Sequence, residues 1–309
     1  MSQTVIISGA TGFIGTILVK KLVARNYHVV VLSRNPEKAA AFNSSQVKVV
    51  AWDGRSANGW GHYVDGAYGI INLAGENIAA GRWTPARKAA ILQSRLAAGR
   101  AIVEAVTLSA RKPRVVIQAS GIGYYGNRGD TVLDETSPAG TGFLADVAIQ
   151  WERSTEPIEA LGVRRAIIRT GIVLGRGGGF LSRVLLPFKL FMGGCMGSGR
   201  QWLSWVHMED EVSAICFLLE QDAAQGAFNL SSPQPLSAKD FFVEVGTALG
   251  RPSWLPVPGF VMHLALGEMA DALLLPSQRV MPSKIEQTGY RFMQPELAMA
   301  LAEVFRKQA

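Results

Sequence analysis

A chain of 309 residues, 48% of them apolar and 18% charged, is long enough for one large α/β domain with a smaller partner, and its composition excludes a fibrous or disordered protein. The formal charge of +7 suits an anionic ligand, but no dense Lys/Arg run or nucleic-acid motif accompanies it, so no nucleic-acid partner is expected.

Residues 4–8 are a short apolar run ending in a glycine turn, the pattern of a buried parallel strand. Residues 13–25 place apolar side chains at helical spacing, with Lys20 and Lys21 on the other side. Further buried strands are predicted at 28–32, 47–51 and 69–73. Thr84 supplies an N-cap and Pro85 a first helical position for a long helix over 85–109. A fifth strand is predicted at 114–119, a helix at 143–161 that Pro157 should kink or end, and a sixth strand at 164–169. Strands alternating with helices imply a parallel sheet covered on both faces.

After residue 175 the alternation fades. The glycine-rich stretches 175–179 and 193–199 read as loops, 202–206 and 227–230 as short strands, and 237–249 as a helix capped by Ser237. From about residue 252 the tail is mostly helical and punctuated by proline. The expected fold class is α/β: a Rossmann-like doubly wound parallel sheet of about seven strands with a small, mostly helical C-terminal domain. The nucleotide-binding domain is expected over residues 1–175, completed by a segment at 202–230, and the smaller substrate domain over 176–309. No apolar run reaches the roughly 18 residues of a membrane span; residues 260–275 are interrupted by Glu268 and Asp271. The chain opens on a strand rather than a secretory leader. Cys195 and Cys216 form no disulfide framework. A cytoplasmic protein without a membrane partner is expected.

Gly9, Gly12 and Gly15 follow the first strand and open the first helix, with Thr11, Phe13 and Ile14 completing the turn. Backbone must come close to a pyrophosphate, which a Cβ would block, and the helix N-terminus then offers unpaired N–H groups and a positive dipole end. This predicts a dinucleotide site. NAD-binding proteins place a carboxylate after the second strand for the ribose 2′-hydroxyl. Here Ser33 and Arg34 stand instead; the guanidinium can fork onto a 2′-phosphate and Ser33 can donate to it. The expected cofactor is NADP(H).

The run Gly9-Ala10-Thr11-Gly12-Phe13-Ile14-Gly15 resembles the first turn of the extended short-chain dehydrogenase/reductase superfamily, which includes the sugar-nucleotide epimerases. By that resemblance, Trp52 and Asp53 lie beside the adenine, and Leu73, Ala74 and Gly75 line the cofactor. Ser120, near the end of the fifth strand, takes the place of the catalytic serine, and Ala119 beside it, with Arg169 and Gly171 of the loop after the sixth strand, are expected to bind the cofactor. A narrower set, Asn72 to Ile78, Arg82-Trp83, Ser94-Arg95, Tyr124-Tyr125-Gly126 and Phe143-Leu144-Ala145, resembles the group called the epimerase family, whose members carry a C-terminal domain of unknown function. The tail, with Leu255-Pro256-Val257-Pro258 and Gln278 to Pro282, resembles that domain.

The superfamily's chemistry rests on Tyr-x-x-x-Lys, in which the lysine helps a phenol of high pKa to exchange a proton. No lysine lies between Lys112 and Lys189, and residues 143–152 contain no tyrosine. The protein is therefore expected to be an oxidoreductase or epimerase with a substituted acid/base, or a non-catalytic NADP(H)-binding sensor or interaction protein. Tyr124 or Tyr125 beside Ser120 could supply the phenol, and Glu76, Asp146 or Glu152 a carboxylate; Ser120, Tyr125 and Glu76 are the leading candidates. Arg169 and Arg200 could hold an anionic substrate. Arg95 reads most simply as a surface ion pair and His207 as a structural hydrogen-bonding group. No histidines pair at metal spacing, so no metal is expected.

Overall fold

Seven short strands dominated by Val, Ile and Ala build the centre of the molecule, which the computed structural model describes over residues 3–306. They are β1 (Thr4–Ser8), β2 (His28–Ser33), β3 (Val47–Ala51), β4 (Gly69–Asn72), β5 (Val115–Gly121), β6 (Arg164–Thr170) and β7 (Gly226–Leu230). Every pairing is parallel and the order is β7-β6-β5-β4-β1-β2-β3. Branched side chains pack on both faces of such a pleated sheet. One face is covered by α1 (Phe13–Ala24) and α5 (Met208–Glu220), whose Leu18, Leu22, Val212 and Ile215 join Ile7, Ile71 and Ile117 in one core. The other face packs on α2 (Pro85–Leu108) through Ala98, Ile102 and Ala105. As expected, Thr84 caps α2, its hydroxyl accepting from the Arg87 N–H at 3.1 Å.

Chain order reverses between β1 and β4, so a crevice opens there at the carboxyl edge. A buried polar chain crosses the sheet just inside that edge. The Ser8 hydroxyl donates to Asn72 Oδ1 at 2.6 Å, and Asn72 Nδ2 donates to Gln118 Oε1 at 2.9 Å. These groups satisfy one another where no water reaches.

Three expectations shift. The helix predicted over 143–161 is α3 (Phe143–Arg153) followed by a 3₁₀ turn at Glu156–Leu161, because Pro157 has no N–H to continue the ladder. A helix absent from the sequence reading, α4 (Gly179–Lys189), stands between the two glycine loops. Of the segment 202–230, only β7 joins the main sheet. Trp202–Leu203 pairs with Leu236–Ser237, and Trp205–His207 pairs with Ile172–Leu174.

The C-terminal region contains α6 (Ala238–Leu249), α7 (Gly259–Leu266), α8 (Glu268–Leu273), α9 (Ser283–Gln287) and α10 (Leu297–Phe305). Phe241, Phe242, Ala300 and Leu301 pack with Phe188 and Trp205 in a separate core. This region also straps the loop that follows β5. Arg279–Val280 pairs with Val132–Leu133. Gln278 Nε2 donates to the carbonyls of Ile122 and Gly126, both at 3.0 Å, and Ser277 Oγ donates to the Gly129 carbonyl at 2.6 Å. Asp210, fully buried at the start of α5, accepts from the N–H groups of Met293 and Gln294.

Candidate functional site

Gly9 takes φ +74°, and a Cβ there would lie 2.7 Å from the Leu73 carbonyl carbon. A Cβ on Gly15 would stand 2.6 Å from the Ala10 Cα and strike the Gly9 carbonyl. The two glycines thus let the turn after β1 press against the loop after β4 and let α1 start directly on that turn. Gly12 is the N-cap of α1, with no side-chain cap and no acidic residue in the first turn. The N–H groups of the first turn are therefore left for an anion. A cleft of about 710 Å³ opens beside this turn, walled by Thr11, Gly12 and Phe13, the 175–178 loop, His207 and Glu303. Ser120, Tyr125 and Glu76 do not line it.

At the end of β2, Arg34 is largely exposed, its side chain 66% accessible, and donates through Nη1 to Glu76 Oε1 at 3.2 Å. Ser33 is buried and its hydroxyl accepts from the Asn35 N–H at 3.2 Å. Glu76 also accepts from Arg87 Nη1 at 3.1 Å, and hydrogen bonds to Arg34 and Arg87 hold its carboxyl below the usual range. Its backbone is pinned as well: the Glu76 N–H donates to Ser94 Oγ and Arg95 Nη1 donates to the Glu76 carbonyl. Glu76 is thus an ion-pair anchor bonded to arginines, not to Ser120 or Tyr125. Arg95 is not a surface ion pair. It is buried, lies over the Trp151 ring at 4.6 Å, and burial draws it down to about 10. Trp52 is buried and donates to the Ser56 carbonyl, and the Asp53 carboxylate closes its own turn on the N–H groups of Arg55 and Ser56. Both shape the wall beyond β3 rather than projecting polar groups from it.

Ser120, the last residue but one of β5, donates to Glu152 Oε1 at 2.7 Å. Glu152, on α3, also receives Arg169 Nε on Oε1 and Arg169 Nη2 on Oε2, each at 2.9 Å. Arg169 Nη1 donates to the Tyr125 hydroxyl at 3.1 Å, and that hydroxyl donates to Asn229 Oδ1 at 2.7 Å. The Arg169 guanidinium also sits 3.4 Å from the Tyr124 ring centroid. All five residues of this chain, Ser120, Glu152, Arg169, Tyr125 and Asn229, are buried. Two sequence readings change as a result. Tyr125 is fully buried with its hydroxyl occupied on both sides, and burial pushes it up to about 12, so it is not a group that reaches a substrate. Arg169 spends its guanidinium on Glu152 and Tyr125, so it does not hold an anionic substrate. Glu152 and Asn229 complete the network. Glu152 was legible as a carboxylate on the helix that lacks the tyrosine and lysine; Asn229 gave no signal beyond its place in a strand.

His207 is the N-cap of α5, its ring accepting from the Glu209 N–H at 3.3 Å, the structural role expected of it. Among the described residues no cluster of His, Cys, Asp or Glu is placed to hold a metal, and no helix is long and apolar enough to cross a membrane.

A doubly wound sheet whose glycine turn lies at the reversal of strand order, with a serine next to last in β5, defines the Rossmann-type class of the extended short-chain dehydrogenases/reductases. The chain belongs to the NAD dependent epimerase/dehydratase family, whose model matches residues 5–231. A second model, a domain of unknown function (DUF1731), matches residues 257–304. The chain is 36% identical over 303 residues to the Epimerase family protein YfhF of Bacillus subtilis, with 98% of each covered. It is 36% identical over 307 residues to the chloroplastic Epimerase family protein SDR39U1 homolog of Arabidopsis thaliana, covering 98% of this chain and 87% of that one. Among solved structures it superposes with TM-score 0.87 and 32% identity on the human epimerase family protein SDR39U1, crystallised with NADPH, covering 98% of this chain and 99% of that one.

Proposed function

We propose that this protein binds NADP(H) at the carboxyl edge of its sheet and acts as an oxidoreductase or epimerase in which Ser120 and Glu152 replace the tyrosine and lysine as the proton path. The cradle fits the cofactor: Gly9 and Gly15 leave no room for a Cβ, and the uncapped, acid-free start of α1 faces the turn. The Phe13 and Ile14 N–H groups would take the pyrophosphate. Leu73, Ala74, Gly75, Ala119 and Gly171 would line the nicotinamide half, and Trp52 and Asp53 the adenine side. Arg34 would receive the 2′-phosphate with the donors that Glu76 leaves free. NADPH in the human relative supports that choice.

A bound nicotinamide supplies hydride transfer. The chain's own part is the proton. A substrate hydroxyl donating to Ser120 Oγ passes its proton to Ser120 while Ser120 passes its own to Glu152; the reverse sequence protonates a carbonyl oxygen. Arg169 orients the carboxylate and balances its charge, and Tyr125 and Asn229 hold Arg169. Arg200, exposed in the loop after α4, remains available to an anionic substrate. Cys195 and Cys216, both free, suit a reducing cytoplasmic setting. The observation that carries this reading is the 2.7 Å contact of Ser120 with Glu152 at the carboxyl end of β5, the strand beside β4.

A second reading, an NADP(H) sensor without turnover, is favoured by one fact: Arg169 already occupies both oxygens of Glu152. The two are separated by incubating the protein with NADPH and a panel of carbonyl compounds and nucleotide sugars while following nicotinamide absorbance. Turnover that disappears in S120A supports the first. Tight NADPH binding with no turnover across the panel supports the second.

A further inference from the structure

Arg34 pairs with one anion in this structure, and it shares that anion. Glu76, in the loop after β4, takes Arg34 Nη1 on Oε1 at 3.2 Å and Arg87 Nη1 on Oε2 at 3.1 Å. Among the described residues neither guanidinium pairs with any other carboxylate. Asp53, whose neighbour Gly54 lies along the Arg34 stem, spends its own carboxylate on the N–H groups of Arg55 and Ser56. One carboxylate therefore stands between two cations, one from the end of β2 and one from the first turn of α2.

The two partners are not held alike. Arg87 keeps only 24% of its side chain accessible, and its Nη2 donates to the Asn77 carbonyl. Arg34 leaves 66% of its side chain in solvent, and among the described residues the bond to Glu76 is the only one its guanidinium makes. Glu76 is fixed through its backbone: its N–H donates to Ser94 Oγ at 3.0 Å and its carbonyl accepts from Arg95 Nη1 at 3.1 Å. Arg95 in turn presses on Gly75, where a Cβ would lie 2.9 Å from the guanidinium carbon. The loop and Arg87 thus form one fixed unit, and Arg34 is the part free to turn away.

An ion pair this exposed contributes little, because water screens it and holding a long side chain costs entropy. A phosphate dianion offers Arg34 more charge and a forked contact. A 2′-hydroxyl offers neither and would leave Arg34 on Glu76. When Arg34 turns to a phosphate, Glu76 does not become a bare carboxylate beside it, since Arg87 still neutralises it. Repulsion between the two anions would otherwise oppose the exchange.

We propose that Glu76 and Arg87 set how strongly this protein discriminates between NADP(H) and NAD(H). Glu76 holds Arg34 until a 2′-phosphate takes its place, and Arg87 allows Glu76 to release it. Both are positioning residues that act through Arg34, and neither touches the phosphate. The inference rests on the NADP(H) reading given above.

The test is fluorescence titration of NADPH and NADH against the full chain and its variants E76Q, R87M and E76Q/R87M. E76Q is expected to tighten NADPH binding about threefold to tenfold, and R87M to weaken it by a similar factor. NADH affinity should change by less than about twofold in each, which also shows that the variants are folded. The double variant should match E76Q, because Arg87 has nothing to neutralise once Glu76 is an amide. Adenosine 2′,5′-bisphosphate titrated against adenosine 5′-monophosphate should repeat the pattern, with the 2′-phosphate as the only difference between the probes. A wild type that binds NADPH and NADH equally overturns the cofactor reading, and this inference with it. A wild type that prefers NADPH, together with unchanged ratios in E76Q and R87M, overturns this inference alone. So does a loss from R87M that is as large in the E76Q background as in the wild type, because Arg87 then meets the phosphate directly.

Discussion

Ser120 and Glu152, 32 residues apart in the chain, meet at 2.7 Å between the end of β5 and the inner side of α3. The serine donates, so its lone pairs remain for a donor from outside. If this pair moves the proton, S120A and E152Q should each lower turnover by about 10²- to 10⁴-fold while leaving the NADPH dissociation constant unchanged. Steady-state rates and fluorescence titration of NADPH check this together. Unchanged rates in both variants would remove the pair from the chemistry.

The same carboxylate neutralises a buried guanidinium. R169M should leave the Glu152 carboxyl buried without its counter-ion and destabilise the fold by about 3–5 kcal/mol. Denaturant unfolding reads this directly, and a loss near zero would mean that the ion pair is dispensable to the fold.

Tyr125 is predicted to act on stability rather than on rate. Y125F removes a hydroxyl that donates to Asn229 and accepts from Arg169, and should cost about 1–3 kcal/mol in unfolding free energy. Turnover per folded molecule should change far less than in S120A. A rate loss in Y125F as large as in S120A would return the phenol to the proton path.

Cofactor choice rests on Arg34. NADPH should bind more tightly than NADH, and R34D should flatten or reverse the preference, a change of roughly tenfold or more for a charge-assisted contact. Equal affinities in the wild type would sink the argument from the end of β2.

Glu211, in the first turn of α5, is fully buried. Thr170 Oγ1 donates to its Oε1 at 2.8 Å, while its Oε2 has no partner among the described residues. Burial pushes its pKa up to about 8 from an ordinary 4.5. The folded state therefore holds a proton that the unfolded chain releases between these values. Stability should be greatest below about pH 4.5 as far as this group is concerned, and should fall as pH rises toward 8. E211Q should raise the melting temperature by several degrees at pH 8 and hardly at all at pH 4.5. Parallel melting curves for wild type and E211Q across that range would count against it.

The sheet was readable in the sequence because each strand is a short β-branched run closed by glycine or a polar turn, and parallel burial needs no more than that. The glycine turn was readable because its geometry forbids a Cβ at Gly9 and Gly15. The Ser120 network was only half readable. Its charged members sit in stretches that read as core, and whether Arg169 points to a ligand or to Glu152 is settled by packing, which carries no local signature. Arg95 misled for the same reason: an arginine on a helix reads as solvated until Trp151 is found beneath it.

The strap by which Ser277, Gln278 and Val280 hold the loop after β5 makes the boundary between the two family regions a boundary in name only. Ser277 and Gln278 bind Ile122, Gly126, Asn127 and Gly129 on either side of Tyr125, about 150 positions earlier in the chain. The C-terminal region is therefore part of the packing around the site rather than an appendage. A chimera that took the first region from one relative and the second from another would have to match them along that seam, and a truncation within the final fifty residues would remove the strap without touching the turn at Gly9–Gly15.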